Sequence, residues 1–272
     1  MEPNGILNLT FKKKENGETY LSNQFFKLPL QIFPPDARED GSVFLFLLNP
    51  SSGMLEGDLF DLRFQILDGA EVTITTPSSN KIYKSNGPDT HQHVYASIAK
   101  GSVLEYIPEQ NVPFKNSRFF QKSIYEIEKG GTLLTWDCMM PGRLERGEDF
   151  DFQIYQSETS IVYDGKMLIR EGMKIIPEEL NPHNPAQMGE YAMVASMYVA
   201  CECIPDGLCE KIRDYFSNER EIYAGISKVD EHLAVIKILW KETLHMREDL
   251  WEVWNIARKE VLGKKAYRIR KY

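Results

Sequence analysis

The feature that most restricts how this chain can fold is a weak internal repeat marked by three glycine turns, at Gly69, Gly101 and Gly130-Gly131. Each turn is followed by a segment in which apolar and polar residues alternate: AEVTIT from Ala70, SVLEYI from Ser102 and TLLTWD from Thr132. Each turn is also preceded by such a segment, Leu62 to Ile66, Val94 to Ile98 and Ile124 to Ile127. Alternation of period two is the pattern of a strand with one face buried. The unit is therefore strand, tight turn, strand. It recurs about every 30 residues, the range in which one supersecondary unit buries its apolar face by stacking on the next. The pattern predicts a mainly β chain, a helical, solenoid-like stack of strands. A plain β-sandwich, which also spaces hairpins regularly, is the competing arrangement.

The later part of the chain changes character. Pro177 to Pro185 is a connector rich in Pro and Asn, and the apolar segment Met188 to Cys203 reads as a strand more readily than as a helix. Pro205-Asp206-Gly207 opens a short helix to about Asn218, with Leu208, Ile212, Tyr215 and Phe216 on one face. Strands follow around Ile222 to Ser227 and His232 to Ile236. A second helix is expected where Leu239, Met246, Leu250, Val253, Trp254, Ala257 and Val261 recur at helical steps, with Gly263 as its C-cap. The whole of 1–272 is expected to be one β-rich domain with about two packed helices, its helix-containing part lying at about 186–272. The apolar surplus in Met188 to Cys203 and in the second helix suggests a face for a protein partner.

A net charge of −8 over 272 residues argues against a nucleic-acid binder, which needs a basic face. The basic end, Lys264, Lys265, Arg268, Arg270 and Lys271, reads as solvated. Met1 to Lys14 lacks the h-region of a signal peptide, and the apolar run Val43 to Leu48 is too short for a membrane helix, so the expected setting is the cytoplasm. Four cysteines, Cys138, Cys201, Cys203 and Cys209, are too few and too unevenly spaced for a disulfide framework and are expected to be free thiols.

Signatures of chemistry fail one after another. Gly142 to Gly147 has the glycine spacing of a phosphate loop, but Glu148 stands where the lysine belongs and Asp149 where the hydroxyl belongs. H-E-x-x-H, G-x-S-x-G and paired C-x-x-C are absent from the sequence. His91/His93 and Cys201/Cys203 have the i, i+2 spacing of ligands on one strand face. A solvated strand edge for the histidines and a core position for the cysteines is the simpler expectation.

What remains are polar clusters at strand ends: Asn49-Pro50-Ser51-Ser52-Gly53 running to Asp58, Thr75-Thr76-Pro77 running to Ser85, Leu104-Glu105-Tyr106-Ile107-Pro108-Glu109-Gln110, and Pro141-Gly142-Arg143 running to Glu148. Taken singly, each is ordinary turn chemistry. Taken in order, they resemble the urease accessory protein family UreD, also called UreH, whose pattern runs N-P-S-G-G-x-x-x-G-D, T-T-P-x-x-x-K-x-Y-x-S, L-E-x-x-P-x-E and G-R-x-x-R-G-E. The resemblance extends through Asp164-Gly165 and the closing helix. Ser52 replaces the first glycine of the pair, Glu56 stands where the family often has glycine, Lys84 replaces an arginine and Gln110 an acidic residue.

The resemblance implies a non-catalytic scaffold that works with the accessory proteins UreF and UreG, the latter a GTPase, to insert nickel into apo-urease. A dimer of that complex is one of the open stoichiometries. It implies no membrane or nucleic-acid partner and no stably bound cofactor, nickel touching the chain only in transit through an internal polar channel. Motif matching makes Glu56, Asp58, Lys81, Tyr83, Glu105, Glu109, Arg143, Arg146, Glu148 and Asp164 the candidate channel residues. A carbohydrate- or ligand-binding β-solenoid and a hydrolase built on two carboxylates are the alternatives.

Overall fold

The computed structural model describes residues 2–217 and 222–269. In chain order the strands are β1 (Gly5–Lys13), β2 (Thr19–Lys27), β3 (Gln31–Ile32), β4 (Asp36–Ala37), β5 (Val43–Leu48), β6 (Leu59–Ile66), β7 (Glu71–Thr75), β8 (Asn80–Ile82), β9 (Thr90–Ile98), β10 (Val103–Tyr106), β11 (Asn111–Pro113), β12 (Arg118–Ile127), β13 (Thr132–Met139), β14 (Ile154–Tyr163), β15 (Lys166–Ile175) and β16 (Met193–Ala200). Helix α1 (Asp206–Phe216), β17 (Ile222–Asp230), β18 (Leu233–Trp240) and helix α2 (Met246–Leu262) complete the chain.

The sequence repeat is the coil of a β-stack. The strands ahead of the three turns, β6, β9 and β12, are parallel neighbours, with Phe64, Ala96 and Tyr125 side by side. The strands behind them, β7, β10 and β13, are parallel neighbours in a second sheet, with Val72, Leu104 and Leu133 aligned. Each corner is the same turn: the N–H groups of Ala70, Ser102 and Gly131 donate to the carbonyls of Leu67, Ala99 and Glu128. Gly69, Gly101 and Gly130 adopt positive φ there, a conformation glycine reaches without steric penalty. Parallel neighbours cannot be joined by hairpins, so the stack prevails over the plain sandwich. Antiparallel strands close the ends, giving a seven-stranded sheet ordered β15-β14-β12-β9-β6-β1-β2 and an eleven-stranded sheet whose main path is β17-β18-β16-β13-β10-β7-β5-β3.

Alternation fills two cores. Between the sheets lie Leu7, Phe11, Phe64, Leu104, Leu133 and their neighbours. On the outer face of the larger sheet, Leu134, Met197, Ile236 and Trp240 meet Leu208 and Ile212 of α1 and Val253 and Trp254 of α2. Each large apolar side chain so buried contributes roughly 1.5–3 kcal/mol. Neither helix is long and apolar enough to cross a membrane.

Several expectations need correction. Within the Met188 to Cys203 segment a strand does form, β16 (Met193–Ala200), but it lies between β13 and β18 beneath the helices, so its apolar residues build core and offer no partner face. Leu239 belongs to β18; its spacing from Met246 fits a helix by coincidence, and α2 begins at Met246. Gly263 does cap α2, with φ 66°. The first helix ends at Phe216, and Asn218 lies outside the described residues. The basic end divides: Lys264 bridges Asp40 (3.1 Å) and Glu71, and Tyr267 packs edge-on against Trp254 and Phe44, while Lys265 and Arg268 are exposed as expected. Arg270 and Lys271 lie outside the described residues.

Candidate functional site

Between the two sheets the apolar core opens into a cavity of about 360 Å³ whose wall sets amides and hydroxyls beside apolar side chains such as Leu30, Phe60, Leu62 and Val94. Stacked coils create it. Asn80 and Asn111 are register partners on β8 and β11, and Gln92 and Gln121 are partners on β9 and β12. The Asn80 amide donates to Asn111 Oδ1 at 3.0 Å, and the Gln92 amide donates to Gln121 Oε1 at 3.3 Å. Asn111 joins the two ladders, its Nδ2 donating to Gln121 Oε1 (3.0 Å), Tyr155 Oη (3.1 Å) and Asp137 Oδ1 (3.3 Å). Side-chain amides that would be costly alone are thus satisfied by one another.

Asp137 of β13 brings a carboxylate to this wall, as Glu109 does. It is half-buried, accepts the Ser157 hydroxyl on Oδ2, and has no cation within ion-pair distance among the described residues. Burial pushes its carboxyl above the ordinary range, while Ser157, Gln121 and Asn111 as donors pull it back. A small second cavity shares Asp137, Thr159 and Tyr198 with the first and leads to Glu171, whose Oε1 accepts from Ser196 (3.2 Å) and from the Lys237 ammonium (2.5 Å). The polar interior therefore has a wide mouth, with Lys81, Ser79 and Glu109 in its wall, and a narrow end at Glu171.

The motif residues build this mouth more than they line the interior. Asn49 accepts from the Ser51 N–H (3.2 Å) and donates to Gly53 O (2.8 Å), folding the Asn-Pro-Ser loop on itself. Gly53 sits so close to β8 that a Cβ would stand 2.3 Å from Lys81 O, and Met54 then donates its N–H to that carbonyl at 2.8 Å. The first two motifs are thereby stapled together. Glu56 accepts the Asn86 N–H (2.8 Å), and Asp58 accepts from Leu55 N–H (2.7 Å) and the Asn4 amide (2.6 Å); both serve turns outside the cavity. Tyr83 packs edge-on against Phe114. Arg143 grips Glu148 bidentately and lies 4.2 Å over the Phe114 ring, which holds the Glu148 carboxyl below its ordinary range. Arg146 is exposed on a short 3-10 turn, and Asp164 with Gly165 forms the two-residue turn between β14 and β15, both at positive φ.

Glu105 lies on the other side of its sheet, under α2. It is 3% exposed and accepts from the Trp254 indole (2.6 Å) and the Thr73 hydroxyl (3.1 Å), with Arg258 at 3.5 Å. Of the ten candidates, the cavity wall holds Lys81 and Glu109; Glu109 also pairs with Arg247 at 3.5 Å. The interior residues Asn80, Gln92, Asn111, Gln121 and Asp137 were not among the candidates. Asn80/Asn111 stand 31 residues apart and Gln92/Gln121 stand 29 apart, so an identical amide recurring at the repeat spacing was the available signal.

The paired ligand spacings resolve differently. His91 and His93 project from β9, an inner strand of its sheet, with ring centroids 6.4 Å apart, and His91 stacks on Phe120. Cys201 is buried and Cys203 exposed, because the chain leaves β16 at Ala200 and the two no longer share a face. Among the described residues no three His, Cys, Asp or Glu side chains group closely enough to hold a metal ion.

Comparison with known proteins agrees with the motif order. The profile of the UreD urease accessory protein family matches residues 3–271. The urease accessory protein UreD of Acetivibrio thermocellus is 26% identical over 245 residues, spanning 90% of this chain and 94% of that protein. Its namesake from Bacillus sp. (strain TB-90) is 24% identical over 273 residues, spanning all of both chains. The protein of the same name from Cenarchaeum symbiosum (strain A) is 29% identical over 191 residues, 69% of this chain and 67% of that one.

Proposed function

The chain belongs to the UreD urease accessory protein family, and on that premise we propose that it is a non-catalytic scaffold through which nickel reaches apo-urease, in a complex with the accessory protein UreF and the GTPase UreG. One observation carries this reading: a β-stack, which ordinarily fills with apolar side chains, is hollow, and polar side chains from Lys81 and Glu109 to Asp137, and in a small adjoining cavity to Glu171, share its wall with apolar ones. Nickel is the cargo. Its borderline character favours nitrogen ligands, so amide oxygens, hydroxyls and a carboxylate bind it loosely enough to let it go. Asp137 supplies charge that favours entry, and among the described residues no three His, Cys, Asp or Glu side chains group into the chelating set of a storage site.

The test is co-expression of the chain with UreF, UreG and the urease subunits, comparing wild type with Asp137→Asn. The expected outcome is an accessory complex that co-elutes as wild type does, while nickel per urease and urease activity fall several-fold. Unchanged activation would move the ion's route elsewhere. Failure of the wild-type chain to co-elute with the accessory proteins would defeat the scaffold reading itself.

A further inference from the structure

The seven-stranded sheet ends in two unlike edges. On one side β15 carries Lys166, Arg170, Glu171 and Lys174, charges of the kind with which edge strands repel another strand. On the other side β2 has Lys27 as its sole charge, and that ammonium is turned back onto Pro3 O at 2.9 Å. β1 is its ladder partner, and among the described residues no strand pairs with its free side. The stretch Asn23 to Lys27 pairs regularly, the bulge lying beyond it, where Thr10/Phe11 shift register. It shows aromatic surface on both faces of the sheet: Phe25, opposite Asn8, is 54% exposed, and Phe26, opposite Leu7, is 45% exposed. Leu28 (63%) and Phe33 (50%) continue the apolar surface just past the strand.

We propose that the free edge of β2 pairs antiparallel with the same edge of a second copy of this chain, joining two seven-stranded sheets about a two-fold axis at Phe25. An open edge supplies main-chain donors and acceptors for such strand addition, and flanking side chains select the partner. The β2 sequence is self-complementary in this register. With the axis at Phe25, Phe25 meets its own copy, Gln24 meets Phe26 and Asn23 meets Lys27, so no like charges face one another. Paired aromatics on the outer face add to the backbone ladder. Two molecules of charge −8 repel overall, and the contact falls on an edge strand that carries none of that negative charge. A five-residue ladder with its flanks covers less than the ~800 Å² per partner of a standard interface, so the association is reversible.

The experiment is sedimentation velocity over a concentration series, on the full chain fused to a monomeric carrier. Wild type is expected to pass from one copy to two as concentration rises. Phe25→Lys and Phe25→Glu should each weaken association at least ten-fold, and an equimolar mixture of the two should restore it, a recovery that misfolded variants cannot produce. Met167→Lys on β15 should change nothing. The proposal is overturned by a chain that stays monomeric throughout, which would leave the edge for a strand of another protein. It is equally overturned by association indifferent to Phe25→Lys, or by a mixture that remains monomeric.

Discussion

Glu105 and Asp137 sit on adjacent strands of one sheet, β10 and β13, and point to opposite sides of it, Glu105 under α2 and Asp137 toward the cavity. Glu105 is sealed against an arginine, an indole and a hydroxyl, with Arg258 itself 2% exposed. Asp137 has neutral donors around it and open volume before it. The first arrangement clamps a helix onto a sheet. The second leaves a carboxylate free to meet something that arrives. Burial alone does not separate architecture from chemistry; the identity of the partners and the space beside them does.

The sharpest way to break this comparison is Glu105→Ala, which leaves the Arg258 guanidinium buried without its counter-charge. Unfolding free energy from urea titration should fall by about 3–5 kcal/mol, the usual penalty for orphaning one partner of a buried pair. The double change Glu105→Leu with Arg258→Met should recover most of that loss, since it removes both charges and refills the volume. A drop below about 1 kcal/mol in the single variant would mean that Glu105 is no clamp.

Asp137→Asn should behave in the opposite way. Burial raises the folded-state pKa above the ordinary 3.8, so ionising Asp137 opposes folding. That penalty is absent below the unfolded pKa and complete above the folded one, and wild-type stability should fall as pH climbs through the window between them. The Asn variant should lack this fall and be the more stable of the two at neutral pH. Urea midpoints measured across the acid range decide the matter, and parallel profiles for the two proteins would sink it.

The smallest effect belongs to the mouth. Ser52 holds φ 66°, in the place where the family pattern has glycine. Left-handed backbone costs a residue with a Cβ roughly 1–2 kcal/mol, partly offset by glycine's greater freedom when unfolded. Ser52→Gly should therefore raise stability by about 0.5–1 kcal/mol and leave the proposed nickel delivery as it is, which would mark the motif as a builder of the loop. A change in urease activation without a change in stability would place Ser52 among the residues that meet the proposed cargo.

Much of this molecule was legible before any coordinate. Alternation around Gly69, Gly101 and Gly130 announced the coils, Gly263 the end of α2, and four ordered motifs the family. Each is a local pattern written in consecutive residues. The site was far less legible. Motif matching favoured Glu56, Asp58, Arg143 and Glu148, which proved to hold turns together, because residues that fix a tight loop leave as plain a mark in sequence as residues that meet a ligand.

The sequence by itself determined a stack of β-coils with glycine corners, since period-two alternation and the need for positive φ are properties of neighbouring residues. Only the tertiary structure decided that Glu105 faces a helix while Asp137 faces the hollow, and that Asn80, Gln92, Asn111 and Gln121 converge from both sheets. Which face a strand residue occupies depends on register, where a slip of one residue exchanges the faces, and a cavity exists only once separate strands are packed around it.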